Sequence, residues 1–500
     1  MSLIDSSFTN LKLFVKYFSK NLSRACSSSR MEICSRRIFR LVDGNWPCLR
    51  YLVAMTNTSG NSKTRLPKTK LGQKGTFAWA LWDWAEQPYP TIMQTFIFPV
   101  YLASAVAEAG TNADALLGIA TGIAGFVLAV IAPILGRRSD IGGRRKFWLM
   151  TNTYVLVGIM IASFFVEPKA EFLLFGLVLY GLGSIVQETA FINYYAMLRS
   201  VSSPSTIGRI SGYAWGLGYL GGIILLAVAL FGFVLPGTVF GVPATDGLEV
   251  RTVFLFCAVW TLVFSIPLLL RVPEIEGKKN APKESIFASY GALWGQLKSL
   301  YKQAPDTFKF LISSAVYRDG LAGVFTFGAV LGSLAFGFTQ TEIIIFGMAA
   351  NIVAGIGAVI GGRIDDVVGS RNVIAASLIG LIIAGLGVFL FADAGQITYW
   401  IGGLALCLFV GPAQASSRTF VSRFAPEGRE GEVFGLYQTT GRAISFLSGL
   451  FWATAITIAA VVTGEENTTI YGVLGLMVIL VVGLALLLRV NPNPKVSYSS

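Results

Sequence analysis

The 500-residue chain carries 39 Lys and Arg against 27 Asp and Glu, a formal net charge of +12, yet only 13% of it is charged and 54% is hydrophobic. With a mean hydropathy of +0.65, this excludes an ordinary soluble globule, which carries about a quarter of its residues as charges. There is no histidine, so histidine metal ligands and general bases are excluded; no metal, cofactor or catalytic residue is expected.

Residues 1–54 are rich in Ser and Arg and hold no apolar run long enough to span a bilayer. Two readings stand side by side: a targeting or membrane-surface segment, with Leu11 to Lys20 as a short basic amphipathic helix, or translation that begins at Met55. Residues 1–76 as a whole are expected to form a basic, disordered tail. Three cysteines (Cys26, Cys34 and Cys48) lie in this region, and Cys257 and Cys407 lie in apolar runs, so cysteine usage does not indicate a redox compartment.

From Phe77 the chain divides into twelve apolar spans at 77–106, 115–136, 146–166, 171–198, 206–235, 250–271, 308–336, 341–361, 372–392, 397–422, 432–462 and 470–489. Most reach the roughly 20 residues a bilayer helix needs. The expectation is an all-α membrane protein with six helices in 77–271, a lysine-bearing linker at 272–305, six helices in 306–490 and a tail at 491–500. Turns after odd-numbered spans carry acids such as Glu108, Glu171, Asp393 and Glu465, whereas the other turns carry Arg137, Arg144, Arg199, Arg363 and Arg423. The rule that loops rich in Lys and Arg stay inside places both termini in the cytoplasm and argues against nucleic acid as the partner of the basic excess.

Two loops repeat a spacing. Gly136-Arg137-Arg138-Ser139-Asp140 runs on to Gly143-Arg144-Arg145, and Gly362-Arg363-Ile364-Asp365-Asp366 runs on to Gly369-Ser370-Arg371. A second repeat links Gln187, Glu188, Asn193, Arg199, Gly208-Arg209 and Gly212 with Gln414, Arg418, Arg423, Gly431-Glu432 and Gly435. Both point to two related halves. The glycine-rich run from Gly212 to Gly222 marks close helix contact. It is no phosphate loop, because no Gly-Lys-Ser/Thr ending follows.

Ionisable residues inside spans are costly and usually face a cavity or a partner. Asp83, Glu86, Glu188, Arg318, Asp319, Arg418 and Arg442 are such residues. Either they form an interhelical ion-pair network or they line a solute or proton pathway, together with Gln87, Asn193, Gln414 and Gln438. Asp83 shares a helical face with Glu86 or Gln87, just before Pro88 and Pro90, which are expected to kink or break the span. Trp79 and Trp82 are expected in the interfacial aromatic belt. Arg318 and Asp319, adjacent on one helix, must look to different helices. Gln414 with Arg418, and Gln438 with Arg442, form polar stripes one turn apart.

The glycine–aspartate–glycine–arginine loop resembles the signature loop between the second and third helices of major facilitator superfamily transporters. The resemblance implies the two-half, twelve-helix fold of that superfamily. It also implies a loop that latches the halves in the outward-open state, carried here by Gly136, Asp140, Gly143, Arg144 and Arg145, with a degenerate copy in Gly362, Asp366, Gly369 and Arg371. Trp82-Asp83-Trp84-Ala85-Glu86, Tyr317-Arg318-Asp319-Gly320, Gly411-Pro412-Ala413-Gln414-Ala415-Ser416-Ser417-Arg418 and Gly435-Leu436-Tyr437 resemble the autophagy-related vacuolar effluxer family, which has many bacterial members. This implies a monomeric, proton-coupled secondary transporter of amino acids or related small organic solutes, in contact with membrane lipid and placed by its short loops in a bacterial cytoplasmic membrane. The alternatives are a sugar or drug facilitator and a non-transporting receptor on the same fold. The family's usual Tyr-Asp-Trp-Ala-Asn is altered here to end in Glu86, which adds an acid.

Overall fold

The computed structural model describes residues 73–108, 111–234, 239–243, 245–274, 295, 298, 301–302, 304–465 and 467–491. The expectations for residues 1–54, the start at Met55, most of the 272–305 linker and the tail beyond 491 lie outside these residues. Among the described residues every regular element is helical. The first half contains α1 (Gln73–Ala85), α2 (Ala113–Gly142), α3 (Arg145–Ser163), α4 (Leu173–Ala196), α5 (Ile207–Ala229) and α6 (Leu248–Arg271). The second contains α7 (Pro305–Phe336), α8 (Gln340–Val368), α9 (Ser370–Leu390), α10 (Gln396–Phe424), α11 (Glu430–Ala443), α12 (Leu447–Thr463) and α13 (Gly472–Leu487). Ten helical stretches among the described residues are long and apolar enough to cross a membrane. Large apolar side chains face outward from several of them, as at Phe126 (72% exposed), Leu270 (76%) and Val461 (81%), which suits a lipid solvent rather than water.

The first span is broken where its prolines fall. α1 ends at Ala85, and π-helical turns at Pro88–Phe96 and Leu102–Val106 flank a short α-helical turn at Phe98–Tyr101. Pro88 has no N–H to offer the carbonyl of Trp84. That carbonyl instead accepts a hydrogen bond from Trp260 Nε1 at 3.1 Å. The stretch read as one span at 432–462 is also interrupted, between α11 and α12. Asp319 of α7 caps the new helix start there, accepting from Ser448 N at 2.6 Å and from Ser448 Oγ at 3.1 Å. Thr339 and Glu342 form a reciprocal capping box at the start of α8; these hydrogen bonds hold the Glu342 carboxyl below its ordinary range.

Trp79 and Trp82 are not in an aromatic belt. Both are 0% exposed, because α1 runs through the middle of the bundle. Trp79 stacks on Tyr194 with centroids 4.3 Å apart, and its Nε1 donates to the Tyr194 carbonyl at 3.2 Å. Trp82 Nε1 donates to Thr153 Oγ1 at 3.1 Å.

Two glycine seams join the halves. α2 crosses α11 so closely that a Cβ at Gly136 would lie 2.0 Å from the Gly431 carbonyl oxygen, and one at Gly435 would lie 2.6 Å from that of Ala132. α5 crosses α8 in the same way: a Cβ at Gly212 would lie 2.4 Å from the Ala358 oxygen, and one at Gly362 would lie 2.5 Å from that of Gly208. Each copy of the repeated loop therefore abuts the other half's copy of the repeated glycine turn. Gly136→Ala is expected to force α2 and α11 apart at a cost of ~1–3 kcal/mol, read as a lowered unfolding temperature in detergent. A wild-type transition would contradict the close crossing.

Candidate functional site

Arg418 on α10 is a buried charge, only 1% exposed. Its Nη1 pairs with Asp83 Oδ2 of α1 at 3.2 Å, its Nε donates to Ser211 Oγ of α5 at 3.0 Å, and its Nη2 donates to the Ser211 carbonyl at 2.7 Å. The rings of Trp79, Tyr194, Tyr195 and Trp215 surround the guanidinium at 5.1–5.6 Å. Burying this charge is tolerable because a carboxylate, two hydroxyl and carbonyl oxygens and four ring faces replace its water. The pair also ties the two halves together across 335 residues of sequence.

A second tie lies nearby. Glu188 of α4 accepts hydrogen bonds from Gln438 and Arg442 of α11. Between these two ties opens a cavity of about 250 Å³, lined by Glu188, Tyr195 and Trp215 of the first half and by Arg318, Asp319, Gln414, Arg418, Tyr437, Gln438 and Arg442 of the second. Arg318 and Asp319 diverge as expected from their spacing. Arg318 donates to the Tyr437 carbonyl at 3.1 Å and to Gln438 Oε1 at 3.0 Å, while Asp319 caps α12.

Glu86 is 4% exposed and does not line this cavity. Its two oxygens accept from Gln187 Nε2 at 2.7 Å and from Gln87 Nε2 at 2.9 Å, and no described cation pairs with it within 4.0 Å. Asn193 is also set apart: it donates to the Thr189 carbonyl at 3.1 Å, and its own side-chain oxygen is buried without a partner among the described residues.

At one end of the bundle the repeated loops close the seams. Asp140 accepts from the backbone N–H groups of Gly431 at 2.9 Å and Glu432 at 2.8 Å, capping α11 where its dipole favours an anion. Arg145 donates to Asp140 through Nε at 3.0 Å and pairs with Glu430 at 2.7 Å. Arg199 adds a 3.5 Å contact to Glu430. Gly143 takes φ 58° to end α2 and turn the chain. Arg144 has no part in this cluster; it is exposed and stands over the Phe147 ring at 5.4 Å. The second copy is similar. Asp366 accepts from Gly208 N at 2.7 Å, Arg209 N at 3.2 Å and Arg209 Nε at 3.1 Å. Arg371 turns away and donates to the Leu488 carbonyl at 2.8 Å, so Arg423, which reaches both Asp365 and Asp366, takes the position expected of it.

Sequence reasoning missed Ser211, Trp215, Tyr437, Ser448, Glu430 and Asp365 as members of these clusters. Glu430 had a local signal, an acid in the first turn of a helix. Ser211 and Ser448 had none, since a serine in a glycine-rich span is ordinary.

A family described as vacuole effluxer Atg22 like matches residues 112–495. An uncharacterized MFS-type transporter, YxiO of Bacillus subtilis (strain 168), is 27% identical over 413 residues, covering 82% of this chain and 93% of the relative. Autophagy-related protein 22-1 of Aspergillus fumigatus is 24% identical over 314 residues, covering 57% of this chain and 49% of the relative; the chain spans about half the length of this fungal protein. Among solved structures, the proton:xylose symporter XylE superposes with a TM-score of 0.64 at 12% identity, over 84% of this chain and 95% of that one. The transporter FucP in its outward conformation gives 0.58 at 14% identity, over 82% and 97%. These likenesses show an all-α major facilitator fold in a multi-pass membrane protein, and the match over residues 112–495 makes the chain a member of the vacuole effluxer Atg22-like family.

Proposed function

We propose that the chain is a secondary active transporter that moves a small organic solute by alternating access through the 250 Å³ cavity. One observation carries this reading: the cavity is walled by both halves and flanked by two ion pairs, Asp83–Arg418 and Glu188–Arg442, each of which must part if the halves rock. A packing network alone has no need of a polar void between its members, and this weighs against a non-transporting receptor. Amino acids suit a cavity with charges of both signs. A sugar is the second reading, favoured by the kinship of fold with a proton:xylose symporter and a fucose:proton symporter. Uptake and efflux in proteoliposomes, with an amino-acid and sugar panel and with or without a pH gradient, tests the proposal. Absence of flux for the whole panel would sink it.

The proposed architecture has twelve spans: the ten apolar stretches, α3, and the interrupted Gln73–Val106. The loop charges support a cytoplasmic position for the latched end, and the short loops support a bacterial membrane, so this structure is read as closed on its cytoplasmic side. Cysteine labelling is expected to find Glu465 external and Lys283 cytoplasmic; external labelling at Lys283 would overturn that orientation.

Glu86 is the proposed proton carrier. Asp83 is held by Arg418, whereas among the described residues Glu86 has only the amide partners Gln187 and Gln87, so it can change charge without stranding an arginine. Glu86→Gln is expected to keep exchange of bound solute and to lose accumulation driven by a pH gradient. Uphill transport with unaltered pH dependence in that variant would make Glu86 structural.

A further inference from the structure

We propose that Arg318 is an oxyanion subsite, so that the solute carries a carboxylate or phosphate group which docks on this guanidinium. The inference rests on the reading of the cavity as the solute site, and it goes further by fixing the chemistry of one end of the solute.

Three arginines line the cavity. Arg418 has Asp83 and Arg442 has Glu188. Arg318 has no carboxylate within 4.0 Å among the described residues. It gives two of its five donors to neutral acceptors, the Tyr437 carbonyl and Gln438 Oε1. Its Cζ lies 3.8 Å from the centroid of the Tyr437 ring, which supports one face of the guanidinium plane. Gly441 leaves the space beside it clear, since a Cβ there would come within 3.3 Å of Nη1. A guanidinium held flat on one ring, given two neutral acceptors and open to a polar void inside a membrane, lacks a counter-ion among the described residues. The partner that suits it best is a planar or tetrahedral oxyanion, which accepts two of its hydrogen bonds at once. Asp319, the adjacent acid, does not serve, because both its oxygens cap α12.

The test is counterflow exchange in proteoliposomes of the full chain, with alanine, lactate, succinate, inorganic phosphate, xylose and fucose as probes. The expected result is exchange confined to probes bearing an oxyanion. Arg318→Gln is expected to raise the half-saturation concentration about 100-fold, from loss of a desolvated charge pair. Arg318→Lys, which keeps the charge and loses the fork, is expected to raise it about tenfold; this variant keeps the inference falsifiable if Arg318→Gln fails to fold. The phosphate arm separates a phosphate-bearing solute from a carboxylate. Exchange of a neutral sugar with unchanged half-saturation in either variant overturns the subsite and leaves the transport reading standing. No exchange of any probe by the wild-type protein counts against the transport reading itself, and the subsite falls with it.

Discussion

Asp83→Asn is expected to abolish transport and to destabilise the protein by ~3–5 kcal/mol, the usual cost of leaving a buried charge unpaired. Arg418 would keep Ser211 and its four ring faces and would lose its counter-ion. Removing both charges in Asp83→Asn with Arg418→Gln is expected to cost less than the sum of the single changes, because no charge is then stranded. Thermal unfolding in detergent for the two singles and the double gives the coupling. Additive losses would mean that the pair contributes only packing, and that the halves are held elsewhere.

The second large effect is predicted at the latch. Asp140→Ala removes the acceptor for two backbone donors at the start of α11 and one of the two carboxylates that hold Arg145. Loss of such a cap costs about 2 kcal/mol, a factor of roughly 30 against the latched state. The fold is expected to survive, since α2 and α11 keep their glycine crossing. Transport is expected to fall with normal expression. A cysteine at Ser139, which is 1% exposed in the seam, is expected to be alkylated faster in this background. An unchanged alkylation rate would remove Asp140 from any latch.

Much of this arrangement is written locally. Pro88 and Pro90 mark the break in the first span because a missing N–H acts within one turn. The spacing of Gly136, Asp140 and Gly143 encodes a close helix crossing, a cap acceptor for a neighbouring helix and a left-handed turn. Partner choice is not local. Arg144 and Arg145 are equivalent by composition, and only the crossing of α2 over α11 decides that Arg145 faces Glu430. Arg371 is equally well placed by spacing, yet the last helix takes it. Trp79 and Trp82 fit an interfacial belt by sequence; α1 carries them through the centre of the bundle, where Tyr194 and Thr153 take up their N–H groups and ring faces. The break between α11 and α12 has no proline to announce it and depends on Asp319, more than a hundred residues away.

Alternating access requires that the polar cavity open in turn to the two ends of the bundle. Distances between paired spin labels test it most directly, with one pair at Arg138 and Glu427 on the latched end and another at Glu171 and Asp393 on the opposite end. On addition of the compound that exchanges best, the first distance is predicted to lengthen while the second shortens. Both distances unchanged, or both moving in the same direction, would contradict alternating access through this site.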